Sequence, residues 1–163
     1  MSAPANFRSS QIVLHWLTML LVGFQLIFHG GIDDAFQYGI NTGRMVVLSP
    51  VIIHFAVGAT IFALVIARLV LRNFYGAPDA PSSEPPVARR ASRWAHRAFY
   101  VVLLAMPVTG ALAWLRASAG FGLAHEALKA FLILLIFAHI GAVLVHQFYW
   151  KTNLLKRMVP FLR

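Results

Sequence analysis

The sequence predicts an all-α membrane protein: an antiparallel bundle of four transmembrane helices, in a single domain over residues 1–163. Three observations predict it. Only 12% of the residues are charged and 60% are hydrophobic, against roughly 25% charged in a soluble domain. The apolar residues gather in four runs, each long enough to cross the hydrocarbon core as a helix. The positive charge is placed unevenly between those runs. The N-terminus, the second connection with its helix ends and the C-terminal tail hold 11 of the 14 Lys and Arg; the first and third connections hold Arg44, Arg116 and Lys129. Cytoplasmic segments carry such an excess, so both termini are expected in the cytoplasm.

The same asymmetry argues against nucleic acid as a partner. A net charge of +9 is here a topology signal, and the partner it implies is membrane lipid. There is no cysteine, which excludes disulfides, Cys-ligated iron–sulfur clusters and covalent haem attachment. A cleavable signal peptide is not expected, because Met1 to Ser10 carries Arg8 alone and the run that follows is long enough to span.

The first span is expected over about 11–30, with His15 near its start and His29 near its end. Gly31 to Val47, with Asp33, Asp34, Asn41 and Gly43, reads as a short polar loop. The second span, about 48–71, opens with Pro50 in its first turn, where the missing N–H is least costly. His54 follows near that end, and Arg68 and Arg72 lie near the other. Asn73 to Ser92 holds Gly76, Pro78, Pro81, Pro85 and Pro86 and reads as an extended, solvated loop. The third span, about 94–115, carries His96 and is expected to kink at Pro107. Arg116 to Gly122 is a tight connection. The fourth span, about 123–150, carries His125, His139 and His146 and ends on Trp150, an interfacial anchor.

An imidazole in hydrocarbon is costly without a partner. His125 and His139 are 14 residues apart, which brings them back to nearly one helix face about 21 Å apart. With span directions alternating, His15 and His139 share the cytoplasmic-side depth. His125 shares the outer depth with both His54 and His29. Two bis-imidazole sites stacked across the membrane suit two non-covalent b haems used for electron transfer. Spacing alone does not separate His54 from His29. Arg68 lies on the His54 face at the depth where a cytoplasmic-side haem presents its propionates, and a guanidinium pairs well with a carboxylate. That turns the His54 face toward the cofactors. Arg68 and Arg72 could instead snorkel to lipid headgroups.

The chain resembles the bacterial cytochrome b561 family, and within it the short four-helix members of superoxide oxidase (superoxide:ubiquinone oxidoreductase) type. The resemblance covers nearly the whole chain. It rests on Ile12-Val13-Leu14-His15-Trp16 in span one, and on His54, Gly58 and Ala67-Arg68-Leu69-Val70-Leu71-Arg72 in span two. Span three contributes His96, Tyr100, Pro107 and Gly110. The rest is His125-Glu126, His139, His146 and Phe148-Tyr149-Trp150-Lys151, followed by Asn153, Leu154, Leu155, Arg157, Met158 and Pro160.

The resemblance implies that His15, His54, His125 and His139 are the axial ligands of two haem irons, favouring His54 over His29. It implies a ubiquinone site near the cytoplasmic-side haem, with His146, and by the same logic His96 and Trp150, as contributors at the quinone or haem edge. Superoxide would give electrons at the outer haem, where Arg44, Arg116 and Lys129 could draw a small anion. No acid–base catalytic residue is assigned. The alternative is an anchor and electron-relay cytochrome b subunit, passing electrons between a peripheral dehydrogenase or hydrogenase and quinone. The short third connection departs from the family pattern.

Overall fold

A computed structural model describes residues 4, 6–81, 84–152 and 154–159. Asn153 and Pro160, quoted above, and Arg163 of the C-terminal tail lie outside the described residues. Among the described residues every regular element is helical. The order is α1 (Ser9–Ile27), α2 (Gly30–Thr42), α3 (Ser49–Tyr75), α4 (Pro86–Leu115), α5 (Ala119–Leu144), one π-helical turn (Val145–Tyr149) and the short α6 (Leu154–Met158).

α1, α3, α4 and α5 with its π turn are long and apolar enough to cross a membrane. Their meeting surface is made by Val22 of α1, Ile61 and Val65 of α3, Val102 and Leu103 of α4 and Leu132 of α5. Outward-facing side chains such as Val101, Leu115, Leu134 and Phe137 are exposed, as helices bathed in lipid require. The start of α1 is tied to the loop after α3 and to the tail. Gln11 Nε2 donates to the Gly76 carbonyl (3.0 Å), and Trp16 Nε1 donates to the Met158 carbonyl (2.7 Å). The start of α1, the loop after α3 and the short α6 therefore lie at one end of the bundle, here the terminal end.

The four expected spans are present, with shifted edges. α1 stops at Ile27, before Gly30-Gly31. Pro50 sits in the first turn of α3, as expected. The Gly31–Val47 segment is not a simple loop, because α2 occupies Gly30–Thr42. Its apolar residues Ile32, Ala35, Phe36 and Ile40 recur at helical spacing, Asp33 lies in the first turn, and Gly43 closes it at φ 70° with its N–H on the Gly39 carbonyl. The single residues that read as loop punctuation, Asp33 and Gly43, are the two ends of a helix.

The solvated loop Asn73 to Ser92 shrinks to 76–85. α3 runs on to Tyr75, and α4 starts at Pro86, where proline's fixed φ suits a first helical turn. α4 continues on both sides of Pro107. The third connection is only Arg116 to Ser118; the Ser118 hydroxyl caps α5 by accepting from the Phe121 N–H (3.4 Å).

One feature of the packing positions the site. α5 packs closely against α4, and α1 against α3, but α5 does not pack closely against α1 or α3. Leu132 is the buried residue of α5 among those described. Imidazoles span the spaces left between α5 and the other two helices.

Candidate functional site

At the terminal end His15 of α1 faces His139 of α5, with ring centroids 6.4 Å apart. At the far end His54 of α3 faces His125 of α5, with centroids 6.3 Å apart. An imidazole nitrogen binds a metal at about 2 Å, and a ring adds about 1 Å on each side, so two imidazoles on opposite sides of one metal need centroids about 6 Å apart. Both pairs have that spacing. Among the described residues no group of three or more His, Asp or Glu side chains is gathered to hold a bare metal ion. Opposed pairs suit a metal whose remaining positions are filled by a macrocycle.

Each ring is held differently. His125 Nδ1–H donates to the Met106 carbonyl of α4 (2.9 Å), which leaves Nε2 unprotonated and free to bind. Gly110 makes this possible, since a Cβ there would stand 3.1 Å from His125 Nδ1. His54 Nδ1 is buried without a partner among the described residues. Beside it Gln25 of α1 donates through Nε2 to the His54 carbonyl (2.8 Å), while its Oε1 is also buried and unpaired. Both orphaned atoms belong to residues lining a cavity of about 970 Å³, with His125, Gly58, Gly110, Phe36 and Trp114. Unpaired buried polar atoms in such a cavity suit an environment completed by a bound group.

At the terminal end Arg68 Nη2 donates to His15 Nδ1 (3.1 Å). His139 meets His96 and Phe99 of α4 edge-on, at 5.7 and 5.6 Å. His96 Nδ1–H donates to the Ser92 carbonyl (2.7 Å). Arg68 and His96 thus lie beside the His15–His139 pair.

His29 also lines the far-end cavity but faces neither His54 nor His125 ring-on-ring. Its Nδ1–H donates to the Leu26 carbonyl (3.0 Å), and its Nε2 lies 3.6 Å from Asp33 Oδ2. It serves as the N-cap residue of α2.

His146 sits on the π turn, seven residues after His139, so the two do not lie along one regular helical face. Trp150 stands edge-on to it at 4.6 Å. Both ring nitrogens already have neighbours, Nδ1 facing Thr152 Oγ1 (3.0 Å) and Nε2 facing Glu84 Oε1 (3.5 Å). The far-end cations do not make a positive surface. Lys129 is held by Glu126 at 2.6 Å, and Asp33, Asp34 and Glu126 balance Arg44, Arg116 and Lys129, three charges against three.

Sequence reasoning missed Gln25, Glu84, Thr152 and the α2 side chain Phe36. A glutamine in mid-span was a usable signal. Glu84, amid prolines, looked solvated, and only folding shows it buried.

The profile of one protein family, described as Prokaryotic cytochrome b561, matches residues 6–161. The chain is similar to Cytochrome b561 homolog 1 of Escherichia coli (strain K12), 26% identical over 95% of this chain and 97% of that protein. It is 27% identical to the Probable superoxide oxidase CybB of Yersinia pestis, over 95% and 96%. It is 25% identical to Cytochrome b562 of Cereibacter sphaeroides, over 98% of each chain.

Proposed function

The chain belongs to the prokaryotic cytochrome b561 family, and from that premise we propose that it is a di-haem superoxide:quinone oxidoreductase of the bacterial inner membrane. Membership makes it a b-type haem protein of membrane electron transfer. The finer reading is carried by one observation: two opposed imidazole pairs, with centroids 6.4 and 6.3 Å apart, at opposite ends of α5. Bound there, two haems would supply one-electron stations across the membrane.

In this reading His54 and His125 hold the outer haem, and His15 and His139 the cytoplasmic-side haem. His125 is ready to bind through Nε2. For His15 to bind through Nε2, its ring proton must move to Nδ1, which can then no longer accept from Arg68. The guanidinium would then be free to pair with a propionate carboxylate. The charge asymmetry, ten described cations at the terminal end against three at the far end, supports placing the terminal end in the cytoplasm.

Superoxide gives one electron at the outer end and leaves as dioxygen. Two such electrons, with two protons, convert ubiquinone to ubiquinol near His96, His146 and Trp150. The name of the Yersinia pestis relative supports superoxide as donor. The outer charges cancel, so the donor arrives by diffusion rather than by long-range steering.

That balance also favours a second reading. A surface with no net field suits a protein donor as well as a small anion, which is the relay subunit for a peripheral dehydrogenase or hydrogenase. The purified chain, alone in detergent with a superoxide source and a short-chain ubiquinone, separates the two. Quinol formation that stops when superoxide dismutase is added supports the oxidase. No quinol without a partner protein supports the relay.

A further inference from the structure

The chain has five acidic residues. Asp33, Asp34 and Glu126 belong to the far end, Asp79 and Glu84 to the terminal end. Glu84 is the buried one, with 4% exposure, and it faces His146, itself 7% exposed. Glu84 Oε1 and His146 Nε2 are 3.5 Å apart. The Thr152 hydroxyl donates to the His146 carbonyl (3.2 Å), so its oxygen is left to accept from Nδ1–H (3.0 Å). Nδ1 is therefore the protonated nitrogen, and Nε2 is the one that faces the carboxylate.

The choice of partner is informative. Ten described Lys and Arg belong to the segments at this end, yet among the described residues none makes a salt bridge with Glu84. A contact needed only to hold the 76–85 loop would be served by a guanidinium, which keeps its proton. The loop already has such a tie, since Arg157 Nη1 donates to the Asp79 carbonyl (2.7 Å). Imidazole is the partner that takes and gives a proton near neutral pH. The other charged groups on adjoining elements are Arg89 and Arg90 of α4, and Lys151, Lys156 and Arg157 of the tail.

We propose that Glu84 and His146 form the proton-delivery pair of the quinone end. This rests on the reading that quinone is reduced there. Oxidising two superoxide ions to dioxygen yields two electrons and no protons, so the two protons of ubiquinol come from cytoplasmic water. In each passage a proton leaves the pair and forms an O–H bond on the quinone oxygen as one electron reaches the quinone. A proton from cytoplasmic water then replaces the one the pair has lost. Two passages complete one quinol.

The test uses the full chain with both haems chemically reduced. Short-chain ubiquinone is added, and haem reoxidation is followed in H2O and D2O from about pH 6 to 9, across the range where histidine titrates. Wild type is expected to slow as pH rises and to slow in D2O. Glu84→Gln should reoxidise at least about tenfold more slowly, with a flat pH profile and a solvent isotope effect larger than that of wild type. Glu84→Asp should restore the wild-type profile, and superoxide-driven haem reduction should be equal in all three. Glu84→Gln with an unchanged pH profile and isotope effect overturns the proposal, whatever its rate, because a merely structural contact would act that way. Should Glu84→Gln lose haem, Thr152→Val is read instead; wild-type kinetics there overturn the pair. Wild-type haems that quinone does not reoxidise overturn the quinone reading itself, and the pair's role with it.

Discussion

Gly110 of α4 passes so close to His125 of α5 that a β-carbon on it would stand 3.1 Å from the imidazole Nδ1. The glycine leaves the ring room to reach the Met106 carbonyl, and so fixes which nitrogen is free to bind.

Gly110→Val should therefore push the ring off that carbonyl. Overpacking of this kind costs about 1–3 kcal/mol, and the lost hydrogen bond adds about 1 kcal/mol. The expected result is selective loss of the outer haem, read as haem per chain falling toward one while the four helices stay folded by circular dichroism. Two haems with unchanged spectra would show that Gly110 does not set the ring.

Arg68 places a positive charge beside His15. A nearby cation favours the reduced, less positive state of a haem. Arg68→Gln should lower the midpoint potential of the cytoplasmic-side haem and leave the outer one unmoved. A redox titration that shows the outer haem shifting instead would place Arg68 with the wrong cofactor.

The far-end charges cancel, three against three, so superoxide-driven haem reduction should vary less than about twofold between low and physiological ionic strength. A steep fall with added salt would mean that local positive charge steers the anion after all.

Orientation is open to a direct assay. Alkaline phosphatase fused after Arg44 should be active, and fused after Met158 inactive, since it works only outside the cytoplasm. The reverse pattern would invert the assignment of the two haems.

Much of the bundle was legible because a membrane span is written in a long apolar run and its direction in lysine and arginine. The pairing of His15 with His139 followed from depth alone. His54 and His29 were not separable by depth, since both lie at the far end; what differs is the fold between them. His29 begins α2 and bonds to Leu26, while His54 faces α5. α2 itself was hidden because its polar face supplied the loop-like letters. Glu84 and His146 meet across more than sixty residues of chain, through a π turn that a regular helical wheel misses.

In the proposed function His15 with His139, and His54 with His125, each hold one haem. Haem per chain with a reductive titration, on wild type, His54→Ala and His29→Ala, decides this. Two haems titrating in two steps are expected in wild type and in His29→Ala. One haem, still held by His15 and His139, is expected in His54→Ala. One haem in wild type, or a haem lost from His29→Ala and kept in His54→Ala, would rule the two pairs out as the ligands.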